Sequence, residues 1–116
     1  MKKILLIDDD RVNSTMIKFG LKGDEYAVDV AHDGAEGIEL LKAEAPDMII
    51  LDVQMPKMGG FEFLNEMKSL GLNVPILMLT ANENLEDVFR MEGVKGYLVK
   101  PVNMDVLKQK VEECLQ

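Results

Sequence analysis

The 116-residue chain has no tryptophan, one cysteine, one histidine and only 5% aromatic residues. The single thiol, Cys114, excludes an internal disulfide and fits a reducing compartment. Its place on an apolar helical face near the C-terminus suits core packing. His32 has no second histidine or thiol at metal-ligand spacing, so zinc chemistry is unsupported, and the residue suits a partly exposed strand end. No apolar run approaches the roughly 20 residues of a membrane helix. The start MKKILLIDDD reaches acid too soon for a signal peptide, and the chain is accordingly expected in the cytoplasm. Basic residues are also few: 13 against 21 acids give a net charge of −8, which opposes nucleic acid and acidic membranes as direct partners. Neither a G-x-x-x-x-G-K loop nor a G-x-G-x-x-G fingerprint occurs, and no serine–histidine pair is placed for hydrolysis. Repeats, low-complexity tracts and linker-like stretches are missing as well.

What is present is 47% hydrophobic and 29% charged, the balance of a folded soluble chain with one core, and residues 1–116 are read as a single domain. Apolar runs too short for helices alternate with segments of helical period. The predicted strands are Ile4–Ile7, Tyr26–Ala31, Met48–Leu51, Val74–Leu79 and Gly96–Val99; Asp29 marks the second as more exposed than the others. Each is followed by a predicted helix, five in all. The first runs towards Gly20–Gly23 with Val12, Met16 and Phe19 on its buried face, and the second carries Ala35, Ile38 and Leu41 and ends near Pro46. The third opens at Gly59 and Gly60 and runs through Leu64, Met67 and Leu70, and a short fourth surrounds Leu85, Val88 and Phe89. The last places Leu107, Val111 and Cys114 on one face. Five apolar strands, each followed by a helix, predict an α/β fold: a parallel sheet wound with helices on both faces, a (βα)5 three-layer sandwich.

In such sheets ligands bind beyond the carboxyl ends of the strands. Those ends carry Asp8 and Asp9 with Asp10 beside them, then Asp52, Thr80 and Lys100; the second strand offers only His32 and Asp33. Two like charges about 4 Å apart repel by roughly 1 kcal/mol in water and roughly 4 kcal/mol near a protein surface, so the run Asp8-Asp9-Asp10 needs a reason. One aspartate can cap the next helix. Asp52 could be a turn former, Thr80 a helix cap and Lys100 a surface charge, but together they form an oxygen-rich set with one ammonium. That set suits Mg²⁺, which takes carboxylates and phosphoryl oxygens, and suits an aspartyl nucleophile in phosphoryl transfer.

IDDD after the first strand, LDVQMPKMGG (Leu51–Gly60) after the third, LTA (Leu79–Ala81) after the fourth and YLVKP (Tyr97–Pro101) after the fifth resemble the receiver domain of two-component response regulators, in order and over the whole chain. The resemblance implies a flavodoxin-like sheet in order 2-1-3-4-5, like that of the chemotaxis regulators, and a phosphorylation-controlled signalling switch. It implies that Asp52 accepts the phosphoryl group from a sensor histidine kinase, a phosphotransfer protein or a small phosphodonor. Asp9, Asp52 and the main-chain carbonyl of Gln54 would then hold Mg²⁺, with Asp8 acting through water. Lys100 would bridge to the acids and then to the phosphoryl group, while Thr80 moves towards that group and Tyr97 follows. Lys100–Pro101 becomes a candidate cis peptide. The segment from Thr80 to Lys100 is shorter than the family's, which predicts a trimmed fourth helix. Gln54 and Asn82 occupy places expected to tune phosphoryl lifetime.

On this reading the chain is a switch and not an enzyme beyond its own phosphorylation and dephosphorylation, acting on a target protein or output domain. The alternative is a Mg²⁺-dependent aspartyl-phosphate phosphohydrolase. Such enzymes commonly place a second acid two residues after the nucleophile, where this chain has Gln54, which cannot protonate a leaving group. The sequence holds no output domain, which leaves a free-standing regulator or one segment of a longer protein.

Overall fold

Apolar side chains at consecutive positions let a strand bury both of its faces, because successive residues point to opposite sides of a sheet. In the computed structural model, which describes residues 1–22, 25–53, 58–81 and 94–116, this produces five parallel strands. They are β1 (Lys2–Ile7), β2 (Tyr26–Ala31), β3 (Met48–Asp52), β4 (Ile76–Thr80) and β5 (Gly96–Val99), in the order β2-β1-β3-β4-β5. Four helices complete the described elements: α1 (Arg11–Leu21), α2 (Gly34–Ala43), α3 (Gly60–Ser69) and α4 (Met104–Leu115).

The alternation divides the core into two layers. Leu5, Ile7, Ile49, Leu51 and Met78 face Ile38, Leu41, Phe63, Leu64 and Met67 from α2 and α3. Ile4, Leu6, Met48, Ile50, Leu77 and Leu79 face Ile17, Leu21, Leu107 and Val111 from α1 and α4. Burying each such aliphatic or aromatic side chain contributes about 1.5–3 kcal/mol. The edge strand β2 alternates between half-buried and exposed positions, as Asp29 foretold. Cys114 packs, partly buried, against the α1/α4 layer.

Four expectations need correction. Val12 and Phe19 are 82% and 79% exposed and Met16 is 43% exposed; the buried side of α1 is Ser14, Ile17 and Leu21. Both stripes have helical spacing, so periodicity alone could not choose between them. The choice was made by the way the chain leaves β1, where Asp10 caps the helix by accepting from the N–H groups of Val12 and Asn13. In α2, Ala35 is exposed, and Gly34 and Gly37 join Ile38 and Leu41 on the buried side. A Cβ at Gly37 would lie 2.6 Å from Ile7 Cδ1 and 3.2 Å from Phe63 Cε2, so the missing side chain is what lets the helix approach the sheet.

Leu70 lies past the end of α3 and is 41% exposed. Gly71, at φ 71°, turns the chain in the left-handed region while its N–H bonds to Lys68 O and that of Leu72 bonds to Met67 O. This stop brings Leu72 rather than Leu70 back onto the core. β4 begins at Ile76 instead of Val74 because Pro75 has no N–H for the ladder, although its carbonyl accepts from Ile49. The predicted helix around Leu85, Val88 and Phe89, and with it the trimmed segment, lies outside the described residues.

Candidate functional site

The aspartate run divides its labour. Asp8 continues β1 by donating its N–H to Ala31 O, and its side chain is fully buried. Asp9 is exposed and Asp10 is the cap of α1. Asp52, the last residue of β3, is 2% exposed. Oxygens of Asp8, Asp9 and Asp52 lie within 4.8 Å of one another.

Lys100 reaches into this group, its Nζ 2.8 Å from Asp52 Oδ2. Its main-chain N–H donates to Thr80 O at 2.7 Å, which fixes the end of β5 against that of β4. Thr80 is 1% exposed. Tyr97 pairs with Met78 across β4 and β5 and packs, partly buried, against the α2/α3 layer. The Lys100–Pro101 peptide is cis, as the resemblance implied.

The electrostatics follow from burial and crowding. Burial lifts the Asp8 carboxyl above the usual carboxylate range, and the adjacent Asp52 adds to the lift; hydrogen bonds from Asn13 Nδ2 and the Asp10 N–H pull the other way. Burial opposes the charge on Lys100, but Asp52, with smaller help from Asp8 and Asp10, outweighs it and holds the ammonium above its ordinary value. Three carboxylates therefore face one ammonium. The donors are all oxygen, a set that fits a hard divalent cation and no soft metal.

Of the residues singled out in the sequence, Asp8, Asp9, Asp52 and Lys100 come together, with Thr80 and Tyr97 on the two strands that border them. Gln54 and Asn82 lie outside the described residues. His32 stands apart, its N–H bonded to Glu36 Oε2 and its ring Nδ1 3.9 Å from the same oxygen. One participant was missed: Asn13, whose amide Nδ2 is 2.5 Å from Asp8 Oδ2. Its signal was an amide residue one turn into a helix that starts directly after the acids.

The family model for the response regulator receiver domain matches residues 4–112. The chain belongs to this family. The receiver domain is 35% identical over 116 residues to the response regulator MprA of Mycobacterium ulcerans and 34% identical to that of Mycobacterium avium, alignments that cover 98% of this chain. They cover 50% and 51% of those proteins, so the chain spans about half the length of the curated relatives it matches. Among solved structures, the chemotaxis protein CheY4 of Vibrio cholerae matches with a TM-score of 0.89 at 35% identity over 99% of each chain. A two-component response regulator from Clostridium difficile matches with a TM-score of 0.90 at 26% identity, covering 99% of this chain and 96% of its own. The fold is thus the flavodoxin-like receiver fold, and the domain is of the class of phosphorylation-controlled signalling switches rather than true enzymes. The phosphohydrolase alternative is not favoured. Among the described residues no helix is long and apolar enough to cross a membrane.

Proposed function

We propose that Asp52 is the phosphoacceptor of this receiver domain, that Asp8, Asp9 and Asp52 hold Mg²⁺ with the main-chain carbonyl of Gln54, and that Thr80 and Tyr97 carry the switch. The observation that supports this most directly is the convergence of three carboxylates at one strand edge with Lys100 bonded to Asp52. An Asp52 oxygen attacks the phosphorus of a phosphohistidine or a small acyl phosphate. The new P–O bond forms as the donor's bond to phosphorus breaks, and the donor departs with the electron pair. Mg²⁺ held by these carboxylates would supply positive charge to the phosphoryl oxygens. Lys100, already held beside Asp52, adds a second positive group and stays charged through the transfer. Phosphorylation takes Asp52 from one negative charge to about two, which strengthens the pull on Lys100 and gives Thr80 a new acceptor.

Movement of Thr80 then frees space that Tyr97 fills, and the surface near Lys95, Tyr97 and Val99 changes in shape and polarity. Backbone amide shifts recorded with and without beryllofluoride, a phosphoryl mimic, test this. Large changes are expected through β5 as well as around Asp9 and Asp52, and Thr80→Ala should confine them to the acid site. Shifts that never extend to Tyr97 in the unaltered protein would refute the switch and leave the acceptor site intact.

The donor is a sensor histidine kinase or a phosphotransfer protein in the cytoplasm, and the output a target protein or an attached domain. The exposed Val12, Met16 and Phe19 suit the docking of that donor, because they form an apolar stripe on the helix that starts at the acid site. Phe19→Glu is expected to slow phosphotransfer from the kinase about tenfold, the loss that goes with removing one well-packed aromatic contact of roughly 1–2 kcal/mol. Labelling by acetyl phosphate, which needs no docking surface, should be unchanged. Equal slowing with both donors would point to damage at the site instead.

A further inference from the structure

Asp8 is the most deeply buried acid of the site, and the first turn of α1 engages both of its oxygens. Oδ1 accepts the Asp10 N–H at 2.9 Å, and Oδ2 accepts Asn13 Nδ2 at 2.5 Å. The first bond comes from the main chain and persists whatever side chain stands at position 10. The second depends on one residue. Asn13 is itself fixed, because its own N–H donates to Asp10 Oδ1 at 3.1 Å and the next turn is closed by Ser14 N to Asp10 O at 2.9 Å.

We propose that Asn13 is a positioning residue for the divalent-cation site: its amide pins the Asp8 carboxylate in the orientation that faces Asp9 and Asp52. The inference rests on the Mg²⁺ reading above. The torsion that turns a carboxylate about its bond to Cβ is soft and broad, so sterics alone do not set the direction of Asp8 Oδ2. Asp52 crowds Asp8 with like charge, and the Asn13 amide on Oδ2 opposes any rotation of the Asp8 carboxylate that would break its bond. A neutral amide suits the task better than a lysine or arginine would. It fixes the oxygen without cancelling the negative charge that attracts the cation. Asn13 is half-buried on the helix surface and is not part of either core layer, so packing gives no other account of an amide there.

The test compares the unaltered protein with Asn13→Leu, which keeps the forked shape and removes the donor, Asn13→Ala, and Asn13→Gln, which keeps an amide on a longer arm. Mg²⁺ is titrated into isotope-labelled protein and the amide shifts of residues 8–10 and 52 give the affinity. Asn13→Leu and Asn13→Ala should bind Mg²⁺ about tenfold more weakly, at the lower end of losses seen when a group supporting a metal ligand is removed. Asn13→Gln should recover part of the loss. The urea midpoint without metal should stay within experimental error for at least one of the two donor-free variants, a pattern that a merely structural role would not give. Full Mg²⁺ affinity in both donor-free variants, alongside normal binding by the unaltered protein, overturns the proposal and leaves the metal reading standing. If the unaltered protein fails to bind Mg²⁺, that reading falls and takes the proposal with it.

Discussion

Asp52→Asn is expected to leave the protein without a phosphoryl adduct after incubation with acetyl phosphate and Mg²⁺, while the unaltered protein gains one by intact mass. The substitution keeps the shape of the side chain at the end of β3, where Asp52 is nearly fully buried. It replaces the carboxylate by a neutral amide, so the anionic nucleophile is lost together with one charge facing Lys100 and the cation site. Asp9→Ala should also lose the adduct, but by a different route. Asp9 is exposed and Asp52 stays in place, so the defect lies in holding the metal. Raising the Mg²⁺ concentration should restore labelling in Asp9→Ala and never in Asp52→Asn. An adduct of undiminished yield in Asp52→Asn would place the acceptor elsewhere and remove the basis of the proposed chemistry.

Phe63→Ala is expected to have the largest effect on stability. Phe63 lies on α3, is fully buried and heads the largest enclosed side chains among the described residues. It packs in the layer that contains Ile7, Leu51 and Met78, against the face of α2 that Gly37 opens. Removing a buried phenylalanine costs about 3–5 kcal/mol, a transfer loss together with a cavity that the rigid strands cannot collapse into. Small domains have about 5–15 kcal/mol in total. A chain of this size should therefore melt roughly 10–20 °C lower, a shift that thermal unfolding followed by circular dichroism would report. A drop of less than about 3 °C would mean that the sheet and α3 close over the cavity, contrary to the packing described here. Because α3 follows the segment after Asp52, the same variant should also label more slowly at temperatures well below its midpoint.

The strand ends were legible in the sequence for a simple reason. Where an apolar run stops, the chain leaves the covered part of the sheet, so Asp8, Asp52, Thr80 and Lys100 announced one edge before any pairing was known. Parallel pairing then forces those ends to the same side. Sequence composition alone also opposed nucleic acid as a direct partner, since net charge depends only on counts. The function class became legible through the joint occurrence of the four motifs, which the family match supports.

Other features were decided by tertiary structure alone. Periodicity offered two apolar stripes on α1, and only the path from β1 through the Asp10 cap determined that Ile17 and Leu21 face the sheet while Val12 and Phe19 face outward. Spacing pointed to Ala35 on α2, but the sheet is approached through Gly37, where close contact with Ile7 and Phe63 leaves no room for a Cβ, while Gly34 lies against Met58. Leu70 matched the helical repeat, and the left-handed turn at Gly71 put Leu72 in its place. Asn13 carried only the signal of an amide shortly after the acids, and an asparagine in a first helical turn has many uses; its meaning lies in the 2.5 Å contact with an acid five residues earlier. Sequence determined which chemical groups are available and at which edge they gather, because hydrophobic runs and charge are properties of the chain. Rotation of a helix about its axis, the closeness of two backbones and the partner of a side chain are properties of packing, and packing is decided by all the elements at once.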